Sequence, residues 1–216
     1  MTRILLADDH ELMRAGFRMI LQTESGLEVV GEAADGNRAV ELARELRPDV
    51  VLMDVQMPGL DGLAATRQVV EGGDCRVLIL TTFDREDYLF EALHAGASGF
   101  LLKNSSPEDL INAVRVVARG DAMLAPELTR RLLDQFSARP SSTRRPDRLD
   151  LLTEREEQIL RLVAAGCSNA EIAGRLHVGE ATVKTHVSRM LNKLGLRDRV
   201  QAVVFAYETG VVKPGE

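Results

Sequence analysis

Three aspartates stand where short apolar runs end: Asp8 and Asp9 follow Ile4-Leu-Leu-Ala7, and Asp54 follows Val50-Val-Leu-Met53. Runs of this length and type read as buried strands, and carboxylates at their ends converge if the first and third strands are neighbours. Three converging carboxylates repel unless a positive charge joins them, and a hard divalent cation with oxygen ligands, Mg2+ above all, is the natural complement. For Asp9 alone a turn or helix cap is an equally good account; convergence of all three outweighs it. Thr81 follows a fourth run, Val77-Leu-Ile-Leu80, and Lys103 follows a fifth, Gly99-Phe-Leu-Leu102. Lys103 is the single lysine of residues 1–124, where eleven arginines occur. A compact ammonium reaches a carboxylate or phosphoryl oxygen where a planar guanidinium does not fit. The chemistry such a set supports is in-line attack of a carboxylate on a phosphoryl donor, giving an acyl phosphate while positive groups neutralise the equatorial oxygens. The new charge, about −1.5 to −2, would draw a hydroxyl such as that of Thr81 toward it.

A second constellation lies near the C-terminus. Ser168-Asn-Ala-Glu-Ile-Ala-Gly-Arg-Leu176 reads as a capped helix, His177-Val178-Gly179 as a turn, and Glu180–Leu194 as a longer helix, the layout of a helix-turn-helix. On the longer helix Val183, Val187, Met190, Leu191 and Leu194 share a face, which leaves Lys184, Thr185, Ser188, Arg189, Asn192 and Lys193 opposite or flanking. A basic helix face is usually only solvated, but the capped helix and tight turn before it favour a duplex-facing surface. His186 sits at the edge of the buried stripe and reads as packed.

The elements that must carry these residues are also legible. The five apolar runs, with the second at Leu27-Glu-Val-Val30, alternate with helical spacing near 11–23, 36–46, 61–71, 85–95 and 107–119, with helix starts at Asp84 and at Ser106-Pro107. Five βα units predict a doubly wound, flavodoxin-like parallel sheet with its ligand site at the carboxyl ends of the strands. Residues 137–147 are polar and proline-containing and read as linker. Beyond them, helices are expected near 154–165, 169–176, 180–194 and 198–209, with capping pairs Thr153/Glu156, Ser168/Glu171 and Asp198/Gln201. The expected organisation is an α/β domain over 1–122, a linker over 123–148 and a small all-α, four-helix helix-turn-helix domain over 149–214.

Asp8-Asp9, Met53-Asp54, Met57-Pro58-Gly59-Leu60-Asp61-Gly62, Thr81 and Gly96-Ala97-Ser98-Gly99-Phe100 leading to Lys103 together resemble a two-component response-regulator receiver. The resemblance implies Asp54 as phosphoacceptor, and Mg2+ held by Asp9, Asp54 and the backbone carbonyl of Gln56, with Asp8 acting through water. It further implies that Thr81 bonds the phosphoryl group, Lys103 pairs with it, and Phe100 changes rotamer into the space Thr81 vacates. Leu152 through Leu196 resembles a LuxR-type DNA-binding domain, so the whole chain resembles a NarL/FixJ-subfamily regulator. Lys184, Thr185 and Ser188 would then face the major groove, and Thr182, Arg189 and Lys193 would hold phosphates. Gly179 departs from the serine common at that position; glycine is tolerated there as a helix N-cap. The last helix places Val203, Val204 and Tyr207 on an apolar surface, part of which is expected to form a homodimer contact on phosphorylation.

Composition agrees with two unlike halves. Residues 1–124 hold 12 Lys+Arg against 21 Asp+Glu, and residues 125–216 hold 15 against 12, that is −9 and +3 within a net charge of −6. Only the second half suits nucleic acid. No run approaches a membrane span and the N-terminus has no signal-peptide pattern, so a cytoplasmic protein is expected. Cys75 and Cys167 are far apart, without metal-ligand spacing, and read as buried thiols. An aspartate-nucleophile enzyme would want a carboxylate two residues after Asp54, where Gln56 stands, and no P-loop or kinase motif occurs. The expected function is therefore a phosphorylation-controlled transcription regulator, not an enzyme beyond its own phosphorylation and dephosphorylation. Its expected partners are a sensor histidine kinase and double-stranded DNA, with RNA polymerase as a further one. A constitutive DNA binder with a silent receiver is the competing expectation, and the complete pocket argues against it.

Overall fold

The computed structural model describes residues 1–73, 75–81, 87–120 and 147–212. The helix start expected at Asp84 and residues 123–146 of the expected linker lie outside these. The chain divides into two compact units, Met1–Ala125 and Pro126–Glu216.

The first unit is built on strands β1 (Thr2–Ala7), β2 (Leu27–Ala33), β3 (Val50–Asp54), β4 (Arg76–Thr81) and β5 (Gly99–Leu102). They form one sheet in the order β2-β1-β3-β4-β5, and every pairing is parallel. Helices α1 (Glu11–Gln22), α2 (Gly36–Leu46), α3 (Gly62–Glu71), α4 (Asp87–His94) and α5 (Pro107–Ala118) follow the strands in alternation. One sheet face, with Ile4, Leu6, Leu52, Leu78, Leu80 and Leu101, packs on Phe17, Leu21, Leu110, Val114 and Val117 of α1 and α5. This is the doubly wound fold the alternation predicts.

β2 runs three residues beyond the apolar stretch that announces it, through Gly31-Glu32-Ala33. It is an edge strand, so its polar residues need not be buried, and Gly31 admits α2: a Cβ there would lie 2.7 Å from Leu46 Cδ1. The helix start expected at Ser106 is built as a cap, its side chain accepting from the Asp109 N–H, and Asp35 and Asp61 cap α2 and α3 in the same way, accepting from the Arg38 and Ala64 N–H groups.

The second unit holds α6 (Glu154–Ala164), α7 (Asn169–Leu176), α8 (Glu180–Leu194) and α9 (Arg199–Glu208). A 3-10 turn over Asp147–Leu151 precedes them and belongs to this unit rather than to a linker, because Leu149 is buried and Arg148 donates to the Leu194 carbonyl at the end of α8. Both capping boxes, Thr153/Glu156 and Ser168/Glu171, close reciprocally. Asp198 accepts from the Gln201 N–H at 3.0 Å. The α7–α8 turn is made by His177, which takes a left-handed conformation (φ 53°), and by Gly179, the N-cap of α8. Ile159, Leu160, Val163, Ile172, Val183, Met190, Leu194 and Val200 form the core.

Candidate phosphoacceptor pocket and nucleic-acid interface

Strand alternation sets which residues can meet at the carboxyl edge of the sheet. Asp8, Asp54 and Lys103 share the parity of Leu6, Leu52 and Leu101, which all belong to the same core face. β1 and β3 are direct neighbours, so Asp8 and Asp54 emerge side by side. Lys103 Nζ lies 2.7 Å from Asp8 Oδ2 and 2.8 Å from Asp54 Oδ2. Asp8 is 1% exposed and Asp54 4%, so the ammonium bridges two carboxylates away from bulk water.

Electrostatics follow from that burial. Desolvation pushes the Asp54 carboxyl above its ordinary value; Lys103 opposes this, Asp8 adds to it, and a hydrogen bond from the Gln56 N–H opposes it. Burial alone would pull Lys103 down, but its hydrogen bonds and charge contacts with Asp54 and Asp8 raise it, so the lysine stays charged. One ammonium between two carboxylates leaves a negative balance.

That balance is the test of fit for a cation. Asp8 Oδ2 is buried and meets the Lys103 ammonium at 2.7 Å. Asp8, Asp9, His10 and Asp54 each place a ligand atom within 4.8 Å of the others. The three carboxylates of this set, Asp8, Asp9 and Asp54, offer the oxygen ligands that suit a hard divalent cation. His10 is absent from the expected set, although it directly follows Asp8-Asp9; its Nδ1 lies 2.6 Å from Asp9 Oδ1, and its N–H donates to Asp8 Oδ1 at the start of α1.

The loop after Asp54 is held by two close approaches. Gly62 N–H donates to the Val55 carbonyl at 2.9 Å, and a Cβ on Gly62 would fall 1.8 Å from the Asp54 carbonyl oxygen. Gly59 is left-handed (φ 74°). These account physically for Gly59 and Gly62 in the Pro58-Gly59-Leu60-Asp61-Gly62 run.

Thr81 ends β4, half-buried, and its carbonyl accepts from the Lys103 N–H at 2.9 Å. The β4–β5 register pairs Ile79 with Phe100 and Thr81 with Leu102, which places Phe100 diagonally from Thr81 on the same sheet face. Phe100 is 2% exposed, so its ring is already inside.

In the helical unit Thr182, Lys184, Thr185, Ser188 and Arg189 are all exposed on α8. His186 is half-buried beside the stripe. Lys193, expected to hold a phosphate, has its ammonium 2.7 Å from Glu156 Oε2, the buried carboxylate of the α6 capping box. The expected dimer contact needs correction. Val203, Val204 and Tyr207 are 5–8% exposed, covered by the unit's own core, and the Tyr207 hydroxyl donates to the Ala164 carbonyl. An apolar helix face in so small a domain is consumed by its own core first. Cys167 is buried as expected, whereas Cys75 is half-buried.

The sheet with its acidic edge and the helix-turn-helix unit define a phosphorylation-type receiver coupled to a DNA-binding output. Residues 4–115 match the response regulator receiver domain family, and residues 150–206 match the bacterial regulatory proteins of the luxR family. The chain is 42% identical over 212 residues to the uncharacterized transcriptional regulatory protein YxjL of Bacillus subtilis (strain 168), covering 98% of this chain and 97% of that one. It is 40% identical over 212 residues to the response regulator protein VraR of Staphylococcus aureus (strain Mu3), covering 98% and 99%. A solved structure, the response regulator ChrA of a heme-sensing two-component system, aligns with a TM-score of 0.55 and 37% identity over 98% of both chains. This chain belongs to the two-component response regulators that carry a LuxR-type DNA-binding domain and act as transcription regulators. Among the described residues no helix is long and apolar enough to cross a membrane.

Proposed function

We propose that Asp54 accepts a phosphoryl group from a sensor histidine kinase, and that the charge gained there controls presentation of α8 to double-stranded DNA. The observation that carries this reading is Lys103 Nζ within 2.8 Å of both Asp8 Oδ2 and Asp54 Oδ2. It holds the nucleophilic carboxylate in place and leaves a cation where phosphoryl oxygens would arrive. Asp9, Asp54 and the Gln56 carbonyl, with Asp8 through water, would hold Mg2+, which when bound supplies charge neutralisation of the phosphoryl oxygens. Thr81 supplies the hydroxyl that follows the new charge. Phe100, diagonal to Thr81 on the same sheet face, is the ring that would turn into the space Thr81 vacates. The domain acts on its own phosphate and turns over no external substrate.

On the output side, the helical unit from the Asp147–Leu151 turn onward, joined to the receiver of 1–122, binds the duplex. Lys184, Thr185 and Ser188 read bases, while Thr182 and Arg189 hold phosphates. Lys193 is assigned to positioning α8 through Glu156. Dimerisation on phosphorylation pairs two such helices with half-sites about one helical turn apart, and its surface lies outside the buried Val203, Val204 and Tyr207. Such a regulator works in the cytoplasm, where its kinase's output and the chromosome meet.

The test compares wild type with Asp54→Asn in Mg2+ with a small phosphodonor, reading dimerisation by light scattering and affinity for genomically mapped duplexes. Wild type gains both on phosphorylation and Asp54→Asn gains neither. Equal behaviour of the two proteins would sink the switch.

A further inference from the structure

His10 opens α1 as its N-cap, with φ −86° and ψ 110°, and its carbonyl accepts from the Met13 and Arg14 N–H groups. An N-cap side chain ordinarily accepts from the first turn, as those of Asp35, Asp61 and Ser106 do, but the His10 side chain makes no such bond. It turns to the carboxylates instead. The His10 N–H, donating to Asp8 Oδ1 at 2.8 Å, fixes where the side chain starts, and its Nδ1 lies 2.6 Å from Asp9 Oδ1 and 3.5 Å from Asp8 Oδ1. Two ligands at about 2.1 Å from one small cation, at right angles, stand about 3 Å apart, so the imidazole and these oxygens have the spacing of neighbouring ligands. A nitrogen of His10 and one oxygen each from Asp8, Asp9 and Asp54 all fall within 4.8 Å of one another. The imidazole is 70% exposed and the Asp9 side chain 33%, so the outer side of the set is open for an ion to enter and keep water ligands.

Resting on the reading of this pocket as the receiver's cation site, we propose that His10 is a further metal ligand, and that its imidazole nitrogen makes the pocket favour first-row transition cations over Mg2+. Mg2+ keeps to oxygen and gives up its waters reluctantly, so an imidazole adds little to its binding. A transition cation gains from exchanging a water for an imidazole nitrogen, and Mn2+, the weakest binder of that series, sets the lower bound of the gain. Asp9 and Asp54 serve either ion. Asp8 has Lys103 on one oxygen and the His10 N–H on the other, so it supports the set rather than filling it. His10 therefore decides which cation the carboxylates hold.

The experiment uses the full chain with Mn2+ and Mg2+ alone, without a phosphodonor. Free Mn2+ is read by electron paramagnetic resonance, Mg2+ by its displacement of Mn2+, and bound Mn2+ by electron spin echo envelope modulation, which registers the nitrogen of a directly ligated imidazole. Wild type shows that nitrogen, and His10→Ala binds Mn2+ without it. The ratio of Mn2+ to Mg2+ affinity falls about tenfold in His10→Ala, almost wholly through Mn2+. Asp9→Asn loses the bound Mn2+; retention there would put the ion elsewhere and overturn the assignment. His10→Gln, whose amide can still donate to Asp9, behaves as His10→Ala does. Recovery of the wild-type ratio in His10→Gln would make His10 a positioning residue for Asp9 and overturn its role as ligand. An unchanged ratio in His10→Ala, or a nitrogen signal that persists there, refutes His10 while the cation site stands. If neither ion binds wild type, the cation site itself fails and His10 with it.

Discussion

Lys193 Nζ stands 2.7 Å from Glu156 Oε2, and the same carboxylate oxygen accepts from the Thr153 N–H and hydroxyl at 2.9 and 3.0 Å. One buried oxygen therefore closes the cap of α6 and ties down the last turn of α8. A helix presented to DNA is only as well placed as its anchors, and this pair fixes α8 to the helix behind it.

Removing one member strands the other. Lys193→Met leaves the Glu156 charge, 3% exposed, without its cation. Because the Lys193 side chain is 38% exposed and screened, the expected loss is about 1–2 kcal/mol rather than the larger cost of a fully buried pair. Glu156→Gln keeps the capping box, since glutamine serves at that position. In the Lys193→Met/Glu156→Gln protein most of the loss is restored. Thermal unfolding of the four proteins of this cycle measures the coupling, and strictly additive effects would refute it.

The pair also sets an acid limit. Burial works to raise Glu156, but the bonds from Lys193 and Thr153 prevail, so its folded-state pKa lies below the ordinary value of 4.5. A depressed carboxylate gives stability that is fully present above the unfolded value and lost as pH falls through the folded one. The helical unit should thus lose stability from about pH 4.5 downward. In Glu156→Gln that part of the acid slope disappears. Circular dichroism melts across pH 3 to 6 give the comparison.

Much of this was legible in the chain, for reasons of period. Apolar runs ending in Asp8, Asp54, Thr81 and Lys103 mark a parallel sheet and its ligand edge, because the fold puts every such end on one side. Capping pairs are equally local: Thr153 and Glu156 lie within one turn. What escaped depends on packing between elements distant in sequence. Glu156 and Lys193 are 37 residues apart, and neither spacing nor residue type distinguishes a lysine aimed at a phosphate from one aimed at a neighbouring helix. Val203, Val204 and Tyr207 present an apolar face in either case; only the placement of α9 on α6 shows that face to be already covered. His10 adjoins the acidic pair but follows the strand rather than ending it, and its approach to Asp9 depends on how α1 begins.

Two glycines separate close approach from mere permissiveness. Gly62→Ala drives a methyl group against the Asp54 carbonyl oxygen and the Val55 backbone, where no flexible side chain can yield. A loss of about 3 kcal/mol in receiver stability is expected, with weaker Mg2+ affinity as the Asp54–Gly62 loop shifts. Gly16→Ala, on the exposed side of α1 with nothing within 4 Å of the new carbon, should instead stabilise by about 0.5–1 kcal/mol. Denaturant midpoints of the two variants moving in the same direction would contradict this.

The exposed face of α8 makes the last distinction, between reading sequence and holding backbone. Lys184 stands in the first turns of α8, the part of a recognition helix that enters the major groove, and it is exposed with no acidic partner among the described residues. Lys184→Ala should relax preference at one base pair by about 1–3 kcal/mol and leave other positions unchanged. Arg189 is exposed on the flank of the same helix; Arg189→Ala should weaken every duplex alike and shallow the salt dependence by about one unit. Lys193→Met, with its charge already shared with Glu156, should reduce the salt slope by clearly less than Arg189→Ala does, because a paired ammonium displaces fewer counterions. Binding to a panel of single-base operator variants across a salt series measures all three. If Lys193→Met matched Arg189→Ala in slope, Lys193 would release Glu156 to hold a phosphate when DNA binds, and the anchor would be a feature of the free protein alone.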